Sequence, residues 1–135
     1  MMDRFPLVDC RAVKVSRLST RSEWRQGVRI DAAREFIVAG AAARAVQLWE
    51  DVAPAHVTFD LPDGVDEIEV RNIWDTGDGV AQSWHFGSAM IVTDIPGGRR
   101  YDCNDGQPDA DFDDIVFTIE RLPLTPDAST GRITQ

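Results

Sequence analysis

The chain has 135 residues, a length that one domain accommodates. Its 23 acidic and 14 basic residues give a formal net charge of −9, so it lacks the basic surface that nucleic acids and anionic membranes require. No apolar run approaches the ~20 residues that span a bilayer, and residues 1–11 lack the apolar core of a signal peptide. We therefore expect a soluble protein with neither nucleic acid nor membrane as a partner, and secretion after processing stays open.

Alternating apolar and polar residues predict short β-strands along most of the chain. The clearest alternation is Val57, Phe59 and Leu61, which a Pro-Asp-Gly turn sequence follows. Ile68 and Val70 form the next strand, and we expect these two strands to pair as a hairpin. Further strands are predicted at residues 13–15, 28–30, 84–92 and 115–119, and a turn is predicted at Pro96-Gly97-Gly98.

Residues 31–49 fit two alternatives. Asp31 could cap an Ala-rich helix, although Gly40 in its middle weakens that interpretation. Val46 and Leu48 flank a polar residue, as they would in a strand. The sequence alone leaves this segment open between helix and strand.

Many short strands and a single candidate helix indicate an all-β fold, which we predict to be an antiparallel β-sandwich of about 7–9 strands. Residues 1–121 form the predicted β-sandwich domain, and the polar residues 122–135 form a C-terminal tail. Cys10 and Cys103 lack the spacing of a zinc or redox site. They are either a disulfide between terminal strands or two separate thiols.

The most informative segment is the acidic loop at residues 102–114. Residues 101–120 hold six Asp and one Glu, with no Lys or Arg. Calcium takes six to eight oxygen ligands in irregular geometry, so short carboxylates in one loop suit it, whereas zinc would require His or Cys. Asp109, Asp111 and Asp113 share one parity and would project to one side of an extended segment. The EF-hand template of Gly at position six and Glu at position twelve is absent.

The run from Asp105-Gly106 through Asp111-Phe112-Asp113-Asp114 resembles the calcium loop of small bacterial lectins that bind fucose and mannose. It also resembles an Asp-x-Asp-[Phe/Tyr]-Asn-Asp element of bacterial β-sandwich domains. The resemblance covers about fifteen residues and implies a calcium-binding β-sandwich that holds a carbohydrate through the metal. Two departures are an extra residue around Gln107-Pro108 and a chain that continues beyond the last strand. By this resemblance, the metal-ligand positions fall on Asn104, Asp109, Asp111, Asp113 and Asp114. We add Asp105, which belongs to the same acidic loop, as a sixth candidate metal ligand.

A second loop, residues 75–79, is rich in Asp and Gly and lies between Trp74 and Trp84. An exposed Trp is a good stacking surface for a sugar ring, and packing in the core is the alternative for both rings. We take Trp74 and Asp78 as candidate ligand-binding residues. No convincing catalytic nucleophile is visible, so we expect a protein that is not an enzyme.

The functional expectation is a calcium-dependent carbohydrate-binding module whose cofactor is Ca²⁺ and whose partner is a cell-surface glycan. The alternative is a domain in which calcium is structural and which binds another protein in adhesion or assembly. A glycan-active enzyme is the least favoured interpretation, because bound calcium would keep the carboxylates ionised. A homo-oligomer is compatible with all three.

Overall fold

The computed structural model describes residues 2–8, 10–22, 24–62, 64–77, 79, 89–105 and 114–123. Within these ranges all regular structure is β, and no helix is present. The nine strands are β1 (Met2–Pro6), β2 (Cys10–Thr20), β3 (Arg25–Val38), β4 (Ala41–Trp49), β5 (His56–Asp60), β6 (Glu67–Asp75), β7 (Ala89–Ile95), β8 (Gly98–Asn104) and β9 (Ile115–Pro123). They form one antiparallel sheet in the order β1-β6-β3-β5-β2-β9-β8-β7, with β4 paired to β3.

The long strand β3 is the corner at which this sheet folds over. Its residues 25–31 pair with β6, whereas Ile37 and Val38 pair with β5. Between Asp31 and Phe36 it has four residues where β4 has one, a bulge that bends the strand. One layer therefore consists of β1, β6, β3 and β4, and the other of β5, β2, β9, β8 and β7.

Both layers contribute to one hydrophobic core, as a sandwich requires. Phe36 stacks on Phe59 at the corner, with ring centroids 5.1 Å apart. In the second layer Tyr101 stacks on Phe117 at 4.8 Å. The Tyr101 hydroxyl donates a hydrogen bond of 2.7 Å to Asp3 Oδ2 of the first layer. This bond joins the two layers.

The predicted all-β sandwich is confirmed, and the open segment 31–49 is strand. Ala39 and Gly40 have φ of 50° and 80°, as a two-residue hairpin turn of type I′ requires. Val28 lies opposite Leu48 in the resulting β3–β4 ladder. The helix alternative is wrong because its apolar residues alternate with a period of two and pair across the hairpin.

The predicted hairpin between β5 and β6 is wrong. β5 pairs with β2 and β3, whereas β6 pairs with β1 and β3. At one end of the connection Leu61 N–H donates to Arg11 O, and at the other Leu7 N–H donates to Asp66 O. Alternation identifies the buried face of a strand but not its neighbour, and here the connection crosses between layers.

Several smaller expectations have outcomes. The turn at Pro96-Gly97 and the strands at residues 90–92 and 115–119 are confirmed, and residues 84–88 lie outside the described ranges. β9 includes Leu122 and Pro123, with which the predicted tail began. Cys10 and Cys103 are not joined in a disulfide. In the described part of the chain no helix is long and apolar enough to cross a membrane.

Candidate functional site

The two ends of the acidic loop meet in a buried position. β8 ends at Asn104, which is 2% exposed, and Asp105 follows with 0% exposure. Asp114, at 1% exposure, directly precedes β9. Its Oδ2 accepts a hydrogen bond of 2.9 Å from the Asp105 N–H. Of the six predicted metal ligands, the structure therefore brings together Asn104, Asp105 and Asp114. The other three, Asp109, Asp111 and Asp113, lie outside the described residues.

The connection between β2 and β3 forms one wall around Asp105. Ser22 Oγ donates a hydrogen bond of 2.5 Å to Asp105 Oδ2, and Gln26 Nε2 donates one of 2.9 Å to the same oxygen. Gln26 Nε2 also donates to Trp24 O at 3.0 Å, and the Trp24 N–H donates to Ser22 Oγ at 3.2 Å. These bonds fix the orientation of the Asp105 carboxylate before any ligand binds.

Strand β6 forms the floor beneath Asn104. Asn72 Nδ2 donates a hydrogen bond of 2.9 Å to the Asn104 backbone oxygen. Trp74, two residues further along, lies opposite Gln26 in the β3–β6 ladder. Gln26 and Asn72 are each 0% exposed. The site is thus supported by amide side chains on the core side of the sheet, where a strand usually presents apolar residues.

Three polar atoms of this wall and floor have no hydrogen-bond partner among the described residues: Gln26 Oε1, Asn72 Oδ1 and Trp74 Nε1. Buried polar groups usually find a partner, such as a bound water, ion or ligand. Amide oxygens, like carboxylates, are ligands that calcium accepts. These orphaned oxygens and the buried carboxylates give the site the oxygen-rich chemistry that calcium requires.

The charge at the site also fits a divalent cation. Burying two carboxylates is costly unless positive charge or strong hydrogen bonds compensate. Burial raises the pKa of the neighbouring Cys103 thiol above its ordinary value, so this thiol adds no negative charge beside the two carboxylates. Within the described ranges no three His, Cys, Asp or Glu side chains are arranged to hold a metal ion. A complete calcium site would need carboxylates from residues 106–113.

The candidate ligand-binding residues have different outcomes. Trp74 is 0% exposed, so the core alternative holds for its ring, and the expectation of an exposed stacking surface there is corrected. It lies on the inner face of β6 together with Ile68 and Val70. Asp78 lies outside the described residues.

Sequence reasoning missed Ser22, Gln26 and Asn72. A signal for two of them was available, because Gln26 has the parity of the buried residue Val28, and Asn72 has that of Val70. A polar residue on the apolar face of a predicted strand indicates a buried polar network. No comparable pattern marks Ser22.

Comparison with known proteins supports the fold. No protein family model and no curated protein sequence matches this chain. Among solved structures, the chain is similar to the Chromobacterium violaceum lectin CV2L in complex with alpha-methyl-fucoside. The two share 16% identity, the match covers 90% of this chain and 96% of that chain, and the TM-score is 0.51. The likeness extends over nearly the whole of both chains and shows a common fold.

Proposed function

We propose that this protein is a calcium-dependent carbohydrate-binding module of the lectin type. The observation that carries the proposal is the pair of buried carboxylates, Asp105 and Asp114, at the two ends of an acidic loop. Their contact holds the ends of residues 106–113 together. That segment adds three further Asp residues and no Lys or Arg.

The contact between Asp105 and Asp114 prepares the acidic loop to bind a cation. The segment from Asp105 to Asp114 carries five Asp residues, and its two ends are in contact. Mutual repulsion among like charges in so short a segment would favour a bound cation. We propose that Asn104, Asp105 and Asp114 hold calcium together with Asp109, Asp111 and Asp113. When bound, calcium supplies open coordination positions at which a pair of sugar hydroxyls can replace water. Ser22 and Gln26 would keep Asp105 in position during this exchange.

The fold comparison supports the choice of ligand class. The similar lectin from Chromobacterium violaceum was solved with alpha-methyl-fucoside. Independently, the amino-acid sequence of the acidic loop resembles that of fucose- and mannose-binding lectins. Two probes follow from this, alpha-methyl-fucoside and alpha-methyl-mannoside. Both glycosides present neighbouring ring hydroxyls, and the methyl group blocks the reducing end of the sugar.

Isothermal titration calorimetry with these two glycosides tests the proposal. We expect saturable binding of at least one glycoside in calcium and none in EDTA. Asp111→Asn should abolish glycoside binding, because it removes a proposed calcium ligand. Asp60→Asn is the matched control, since Asp60 is an exposed residue of β5 that pairs with Ala12 and Ile37, away from the loop.

The remaining outcomes separate the alternatives. Calcium binding without binding of any glycan on an array would favour a structural calcium ion in a domain that binds protein. Glycoside binding that persists in EDTA would contradict the calcium-dependent mechanism. Release of product from aryl glycosides, lost in Asp111→Asn, would contradict a binding module and revive the enzyme alternative.

A further inference from the structure

Three buried polar side chains lie together where β3 and β6 pair, beneath the acidic loop. Gln26 and Trp74 are directly opposite each other in this ladder, and Asn72 is two residues from Trp74 on the same face of β6. Each of the three residues is 0% exposed. Neighbours of this kind on one face of a sheet are within about 8 Å of each other, a distance that long side chains bridge. We call these three residues the inner polar cluster.

Two hydrogen bonds bring the amides of this cluster to the end of β8. Gln26 Nε2 donates a bond of 2.9 Å to Asp105 Oδ2. Asn72 Nδ2 donates one of 2.9 Å to the Asn104 backbone oxygen. Because Asn104 and Asp105 are adjacent in the chain, the two amide groups reach neighbouring points. Their side chains therefore converge under the start of the acidic loop.

The same two bonds fix the orientation of each amide. A carboxylate oxygen and a backbone oxygen accept hydrogen bonds, so reversing either amide would place two acceptors against each other. Gln26 Oε1 and Asn72 Oδ1 are thus two buried acceptors without a partner among the described residues, and Trp74 Nε1 is a buried donor without one. The calcium ligands proposed above include none of these three atoms.

A set of two acceptors and one donor specifies the chemistry of its partner. A metal ion would suit the two amide oxygens, but the indole N–H would repel it, because its hydrogen carries positive charge. An anion would suit the indole N–H, but both amide oxygens would repel it. A side-chain hydroxyl has a single hydrogen and so can donate to only one of the two oxygens. Water donates two hydrogen bonds and accepts others, and a buried water typically makes about three in all.

We propose that the inner polar cluster binds one buried water molecule. The water donates to Gln26 Oε1 and Asn72 Oδ1 and accepts from Trp74 Nε1. This assignment gives a partner to every polar atom of the cluster, as buried polar groups require. It also extends the hydrogen bonds around Asp105, through the Gln26 amide, to β6. The water belongs to the folded chain itself, so the inference does not rest on calcium or glycan binding.

NOE and ROE spectra between water and the isotope-labelled protein in EDTA test the proposal at the Trp74 indole N–H. Trp74→Phe identifies this signal among those of the four Trp residues. We expect NOE and ROE cross-peaks of opposite sign between this N–H and water, which mark a water molecule that stays bound rather than one that exchanges rapidly at the surface. A Trp74 indole N–H without such cross-peaks would overturn the proposal.

A pair of variants tests which residues hold the water. Asn72→Leu removes one of its two acceptors and keeps a side chain of similar size, so the water cross-peaks at the Trp74 indole should disappear. Asp60→Leu is the matched control, because it introduces the same side chain at an exposed position of β5, and here the cross-peaks should remain. Thermal melts establish that both variants fold. Cross-peaks that persist in Asn72→Leu would contradict the assignment.

Crystal structures of the wild type in EDTA and in calcium give a test that needs no variant. We expect one water peak within about 2.7–3.2 Å of all three unpartnered atoms in both conditions. A peak present in calcium but not in EDTA would indicate a metal ion and overturn the proposal, and so would a protein side chain bonded to these atoms. Failure of calcium or glycan binding would leave the EDTA results unchanged, so the two proposals fail separately.

Discussion

Replacing Gln26 by Met tests the buried network that orients Asp105. The change is nearly isosteric, but it removes the Nε2 donor to Asp105 Oδ2 at 2.9 Å and to Trp24 O at 3.0 Å. A hydrogen bond to a charged group contributes about 1.5–3 kcal/mol, and a neutral one about 1 kcal/mol. The substitution also removes the buried Oε1, which has no partner among the described residues, and this should increase the free energy of unfolding by about 1 kcal/mol. We therefore expect the free energy of unfolding to fall by about 1.5–3 kcal/mol.

Urea denaturation in EDTA measures this loss without any contribution from a metal ion. Glu35→Met is the control, because Glu35 is exposed on β3, and replacement of its polar end by the Met thioether should alter stability by less than about 0.5 kcal/mol. With calcium present, Gln26→Met should also gain less stability than the wild type does. A Gln26→Met variant as stable as the control in EDTA would refute the view that Gln26 supports the site.

Three further predictions concern the fold around the site. Gly98→Ala should destabilise the protein by about 3 kcal/mol or more in urea denaturation, because a Cβ there would collide with the Ile119 backbone oxygen; a neutral result would contradict this packing. Burial and its hydrogen bond to Asp3 raise the pKa of Tyr101 above its ordinary value, so stability should fall as pH rises above about 10, and Tyr101→Phe should remove that component. If the free energy of unfolding of Tyr101→Phe fell above about pH 10 as steeply as that of the wild type, the assignment of this pH dependence to Tyr101 would be wrong. Cys103, at 0% exposure, should react with a thiol reagent only on unfolding, and rapid labelling of the native protein, detected by mass spectrometry, would show otherwise.

The sequence predicted the strands better than it predicted their neighbours. Phe59, Ile68 and Val70 are each 0% exposed, as their alternation indicated. The pattern could not reveal that the chain crosses between layers after Leu61, because a period of two specifies a face and not a partner. Nor could it reveal the bend of β3, which depends on the bulge after Asp31.

At the candidate site, too, the sequence predicted the residues of the local loop but not the residues that distant strands contribute. Local composition was enough to indicate that Asp105 and Asp114 belong to one loop, and the structure places them in contact. Gln26 is 79 residues from Asp105 in sequence and Asn72 is 32 residues from Asn104, so no local motif connects them to the loop. Gln26 and Asn72 reach Asp105 and Asn104 because β3 and β6 of one layer pack against the end of β8 in the other layer.

The most direct test of the account is the melting temperature in EDTA, in magnesium and in calcium. A ligand at about 100 times its dissociation constant stabilises the folded state by about 2.7 kcal/mol. For a chain of this size that corresponds to a rise of about 8 °C. We predict such a rise in calcium, little change in magnesium, and loss of the calcium effect in Asp111→Asn but not in Asp60→Asn. Equal melting temperatures in EDTA and calcium would contradict the calcium site and the function proposed from it.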